Sequence, residues 1–328
     1  MTHVPLYREA LKSAWQLTRK EKWLWLFGLF AAFLGQMGLF ELFVNVTAAS
    51  SDYAVYPRWI ALPRLMQEGA AAGPLVLPVE GWVWFFFVLC IVLGLALAFL
   101  FIALASQGAI IASMAQWAKK KKADVAAAWH VGARHVWRLF AIQAIKKTAF
   151  VFLALAVGYA TLNVVVEETT SAGDLAVFFL VFLLALAVGF VLSFLAVYAA
   201  GYVVVEEYPL LRSLEEAWRL FLKHWLVSLE VGLIILLFNL LLGLAIAIGV
   251  IFLFLPVILL WFVAALTANV ALFQAALIVG MLLSTVWILF ALALFTVFGT
   301  GAWTYLFMIM HKHGITSRIF HFWHAVKR

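Results

Sequence analysis

One short phrase recurs three times in this chain, and each time a long apolar run follows it. The copies read Ala14-Trp15 … Lys20-Glu21-Lys22-Trp23, Ala128-Trp129 … Arg134-His135-Val136-Trp137, and Ala217-Trp218 … Lys223-His224-Trp225. The first Trp precedes the last by 8, 8 and 7 residues. Internal repetition sets an architecture before any local assignment is made. The runs that follow are long enough to cross a bilayer, which takes about 20 mostly apolar residues.

Composition narrows the class. The chain is 67% hydrophobic with 11% charged residues, and its mean hydropathy is +1.11. A soluble domain carries roughly 25% charged residues, so a water-facing surface cannot be built over this whole chain. The expectation is an all-α polytopic membrane protein. The apolar run from Trp23 is too long for a signal-peptide core, and no small-residue cleavage site follows it. It therefore counts as a span. The single Cys90 sits in an apolar run and reads as a small buried hydrophobe, with no disulfide framework.

Six spans are expected, at about 23–45, 82–117, 138–165, 175–204, 226–250 and 273–311. Residues 251–272 are apolar but contain Pro256, and read as a broken, interfacial or re-entrant segment. On this arrangement 20 of the 22 Lys and Arg residues fall on one side. Only Arg58 and Arg64 fall on the other, beside Asp52, Glu68 and Glu80. The positive-inside rule then puts both termini in the cytoplasm, in a bacterial inner membrane. It also accounts for the net charge of +7 without a nucleic-acid partner, since no soluble basic fold carries it.

Each copy of the phrase reads as an amphipathic helix lying at headgroup level on the inner side. In the third copy, Leu210, Leu214, Trp218, Phe221 and Trp225 make the apolar stripe. Val125, Trp129, Ala133 and Val136 do so in the second, with Asp124 as a helix N-cap. Tyr7, Leu11, Ala14, Trp15 and Thr18 do so in the first. Gly108, Gly201 and Gly301 occupy matching places near the inner ends of the even-numbered spans. The unit is an inner helix, a span out and a long span back. Its copies cover 1–120, 121–206 and 207–312 of a single membrane domain, with 313–328 as an interfacial tail.

These residues resemble a broad group of bacterial integral membrane proteins of unknown function. The group includes the membrane domain fused to some glycerophosphodiester phosphodiesterases. The resemblance rests on Glu9-Ala10 … Ala14-Trp15-Gln16-Leu17, on Glu215-Glu216-Ala217-Trp218-Arg219-Leu220, and on Gly301-Ala302-Trp303-Thr304-Tyr305. It implies a six-span bundle with inner amphipathic helices, and it carries over no catalytic residue.

Candidate chemistry is sparse. Ionisable side chains inside spans are costly and mark functional sites by default. Glu41, Glu230, Lys146 and Lys147 qualify, and Glu230 lies at a depth compatible with an ion pair to either lysine. Lys119, Lys120, Lys121 and Lys122 read as a contact for anionic lipid headgroups. The Trp residues of the repeat (15, 23, 129, 137, 218 and 225) read as interfacial anchors. His321 and His324 have a helical ligand spacing but no acidic partner nearby, so no metal and no cofactor are expected. Gln107, Gln143 and Asn239 suit interhelical hydrogen bonds. No nucleotide loop, nucleophile motif or metalloprotease motif lies on any span. The leading expectation is a non-enzymatic membrane protein that contacts or organises lipids, a membrane partner or a second copy of itself. The alternative is a small-solute or ion transporter with a polar site between repeats.

Overall fold

A computed structural model describes residues 6–35, 79–121, 124–166 and 171–313. Among these residues the chain is helical, without strands, and forms eight helices: α1 Leu6–Lys20, α2 Leu24–Gly35, α3 Val79–Ala118, α4 Val125–Arg134, α5 Val136–Val166, α6 Ala172–Val205, α7 Leu210–Leu266 and α8 Val270–His313. Five of them, α3 and α5 to α8, are long and apolar enough to cross a membrane. That is the signature of a multi-pass membrane protein, because helices satisfy their own backbone groups in lipid. The first expected span, 23–45, lies within the described residues only as the 12-residue α2. Most of the 46–81 connection, Glu41 and the C-terminal tail with His321 and His324 lie outside the described residues.

The chain divides into two compact units, Met1–Ala31 with Leu104–Arg328, and Ala32–Ala103. The second holds the N-terminal part of α3, where Phe33 and Phe99 meet edge to face with centroids 5.0 Å apart. Cys90 is exposed there rather than buried. The apolar run around it is a candidate span whose side chains face outward, so an apolar residue needs no protein core to hide in.

In the larger unit, α5 packs with α6 and α7 with α8 as antiparallel hairpins, α7 also packs on α6, and α1 packs on α8. Ser171 caps α6 in a reciprocal capping box with Asp174. The α7–α8 turn closes with Ala268 in the left-handed region, φ 50°. Asn269 N–H donates to Ala264 O and Ala268 N–H to Ala265 O, the paired bonds of a Schellman motif.

The expected break at Pro256 is absent. α7 runs through it to Leu266, and the one residue with non-helical backbone inside α7 is His224. Residues 251–266 are thus helix continuous with the fifth span, not a re-entrant segment. A proline removes one backbone bond but need not end a helix when packing holds both sides. Here Val257 is buried and lies against Gly280 of α8.

Burial concentrates toward one end of this unit. The buried side chains cluster at residues 103–115, 194–204, 213–235 and 291–310. The opposite halves of the spans expose Leu, Ile, Val and Phe along most of their length. Close approach at the packed end relies on glycine. A Cβ on Gly132 would overlap the carbonyl oxygen of Ala105, and one on Gly28 would overlap that of Ala293.

Candidate functional site

The three Ala-Trp phrases share one packing pattern. Ala14, Ala128 and Ala217 are each 0% exposed, whereas Trp15 is 54% and Trp218 46% exposed. The packed stripe is therefore centred on alanine: Ala10, Ala14, Leu17 and Thr18 in α1; Ala128, Gly132 and His135 in the second copy; Ser213, Ala217, Leu220 and His224 in the third. In the third copy the stripe read from periodicity is one position off, whereas Ala14 and Thr18 of the first and Val136 of the second are buried members of the expected stripes. A small residue lets helices approach, and the neighbouring indole then falls at the edge of the contact. Trp137 and Trp225 are also exposed. Trp129 stacks on Phe27, centroids 5.7 Å apart.

A second shared feature was not legible from spacing. In each copy the helix breaks seven residues after the buried alanine: Glu21 lies between α1 and α2, His135 between α4 and α5, and His224 carries the non-helical backbone within α7. His135 bonds back to Val131 O through Nδ1 at 2.8 Å. Ser228 donates to His224 O at 3.0 Å and meets the Tyr198 hydroxyl of α6 at 2.6 Å.

The ends of several helices meet on the basic side. Arg134 lies 3.9 Å from Glu207, and Arg138 reaches the Glu207 and Tyr208 carbonyls at 3.4 Å. His311 of α8 sits 4.0 Å from Glu206 and 3.3 Å from the Tyr202 hydroxyl. The Arg212 guanidinium lies 4.4 Å over the Tyr208 ring.

A cleft of about 400 Å³ is lined by Ser13, Glu21, Trp117, Lys120, Lys121 and Tyr305. Four pieces of chain supply it: α1, the break after α1, the end of α3 and the end of α8. Two of the lining residues, Trp117 and Tyr305, pack with Trp23 and Phe27 against a buried apolar cluster of Leu17, Leu24, Ala31, Ile110, Met114 and Val297. Lys20 Nζ stands 5.5 Å from the Trp117 ring centroid. Glu21 accepts from Trp23 Nε1 at 2.8 Å.

α3 ends here in a second Schellman motif. Lys121 N–H donates to Gln116 O and Lys120 N–H to Trp117 O. The C′ residue is Lys120 at φ 56°, where glycine is usual. Among the described residues no ion pair within 4 Å holds Lys20, Lys119, Lys120 or Lys121. Of the four expected headgroup lysines, two line the cleft, Lys119 is exposed outside its lining, and Lys122 lies outside the described residues.

The intramembrane candidates stand elsewhere. Lys146 lies against Phe150, Nζ 5.8 Å from the ring centroid, and no ion pair joins it to Glu230. One carboxylate oxygen of Glu230 is buried and accepts no hydrogen bond. Gln143 of α5 donates to Gln107 of α3 at 3.1 Å, an interhelical bond as expected. Asn239 instead donates to Ile235 O on its own helix. Among the described residues no group of three metal-ligating side chains comes together. Ser13, Trp117 and Tyr305 had no sequence signal as site residues, because the fold alone brings those segments together. No family model, characterised protein or solved structure matches the chain.

Proposed function

We propose that this chain is a non-enzymatic multi-span membrane protein that holds anionic lipid headgroups at its basic, cytoplasmic end, in a bacterial inner membrane. The observation that carries the reading is the cleft at the packed end, where lysines stand beside indole and phenol rings. Lysines near an anionic surface contribute about 1 kcal/mol each, and Trp and Tyr prefer the headgroup level. The three hairpin units, each opened by an interfacial helix, would then be a frame that sets this basic end against the membrane. The test is lipid retention: the full chain, purified from a mixed membrane, carries a higher anionic-lipid fraction than that membrane. Retained lipid matching the bulk composition refutes the reading.

A second reading rests on Glu230, whose buried carboxylate oxygen lacks a hydrogen bond. A buried, unsatisfied carboxylate in a span suits a proton or cation relay. Proteoliposomes that dissipate a pH gradient, and lose that leak on Glu230→Gln, would favour transport. An intact gradient with the unmodified chain would remove this reading.

A further inference from the structure

We propose that the cleft between α1, the α3 terminus and α8 is a discrete site for one phosphate-bearing group, with an anionic glycerophospholipid as its chief ligand. This deepens the headgroup reading above and rests on it. Ligand sites commonly occupy about 300–1,000 Å³, and the cleft of about 400 Å³ falls in that range. Its charge favours an anion: Lys120 and Lys121 line it and Lys20 stands beside Trp117, against the single carboxylate of Glu21. That carboxylate is already engaged by the Trp23 indole.

The plain alternative is that these lysines serve the helix. Cations at a helix C-terminus offset its partial negative charge. The carbonyls at the end of α3 are, however, already met by backbone donors: Lys120 N–H bonds Trp117 O and Lys121 N–H bonds Gln116 O. The ammonium groups are not needed as caps and have no carboxylate within ion-pair distance among the described residues.

Holding a non-glycine residue at φ 56° costs of order 1 kcal/mol. Lysine at Lys120 therefore contributes nothing to the turn that glycine would not do better.

The hydroxyls of Ser13 and Tyr305 add neutral donors for phosphate oxygens. The rings in the lining favour a lipid over a free anion. Trp117, Ala118 and Tyr305 are the apolar part of the lining, and the two rings pack against the buried cluster, so a glycerol backbone and the start of an acyl chain meet an apolar edge there. Phosphate oxygen is the shared chemistry, and the source is either a lipid or a soluble phosphate compound.

The test uses the full chain in nanodiscs of phosphatidylcholine doped with phosphatidylglycerol, with bound lipid counted by native mass spectrometry. The expected result is one saturable phosphatidylglycerol per protein. Lys120→Gly with Lys121→Gln weakens it about thirtyfold, the combined worth of two surface lysines. Lys119→Gln, outside the cleft lining, leaves it unchanged. Glycine at 120 suits the left-handed backbone, so the variant keeps its turn. If the double variant does not fold, Lys121→Gln alone gives about a fivefold loss. A parallel arm offers inorganic phosphate and glycerol 3-phosphate in undoped nanodiscs. Equally tight, lysine-dependent binding there keeps the site and makes its ligand soluble. Anionic lipid enriched without saturation, or weakened as much by Lys119→Gln, overturns the cleft while the basic-end reading survives. No enrichment at all overturns both.

Discussion

Ala14, Ala128 and Ala217 carry more structural weight than the tryptophans beside them. Each is fully buried, and a side chain larger by several methylenes has no space. Leucine at Ala217 is expected to destabilise the protein by about 1–3 kcal/mol. Trp218→Ala, truncating a half-exposed ring in detergent, should cost less. Thermal unfolding of the purified variants compares them directly. The glycines make a sharper contrast. Gly28→Ala and Gly132→Ala place a methyl against backbone carbonyls of α8 and α3, which cannot move aside as a side-chain end can. Gly94 and Gly243 have no heavy atom within 4 Å of where a Cβ would lie. Alanine there should stabilise by about 0.5–1 kcal/mol through helix propensity. Equal effects at all four positions would contradict the packing. The alanine positions were legible in the repeat, but their burial was not. Periodicity names the large apolar residues first, and in lipid those need no protein partner.

At the scale of elements, the breaks at Glu21, His135 and His224 separate a short helix from the span it feeds. The hairpin α7/α8 departs furthest from expectation. Its first helix, α7, continues past Pro256, where the sequence suggested an ending. A nitroxide scan across 251–266 should give oxygen accessibility with a period near 3.6 residues. A re-entrant piece would instead give an abrupt reversal at Pro256. Replacing Pro256 by alanine restores a backbone donor and should raise the unfolding temperature, since α7 already follows a helical path there. Helix existence was readable from apolar length alone. The reach of α7 was not, because a proline's effect depends on what packs on either side of it.

At the scale of the molecule, the packed end holds the polar network and the cleft. The hairpin turns at Ser171 and at 267–269 lie at the far ends of their helices. In a Cys90→Ser background, cysteine at Ser171 or Ala268 should label from outside the cell, and cysteine at Lys120 or Glu207 only after the membrane is opened. Labelling of Lys120 and Ala268 from the same side would defeat the arrangement. At about 1.5 Å per residue, the 44 residues of α8 extend about 66 Å, more than twice the roughly 30 Å hydrocarbon layer. Such a helix must tilt or protrude, so Ala268 should react as readily as a residue in water.

Apolar length determined the class of this protein, and the one-sided distribution of lysine and arginine gave the expected orientation. Both are properties of single segments against a bilayer, and need no knowledge of which segments touch. The sequence also displayed the repeated phrase and the lysines after α3. The tertiary structure decided which face of each phrase packs and that α7 passes through Pro256. It alone brought Ser13, Glu21, Trp117, Lys120, Lys121 and Tyr305 around one cleft. These depend on contacts between segments up to three hundred residues apart. In lipid such contacts leave little trace in the sequence, because apolar side chains are equally at home against a helix or an acyl chain.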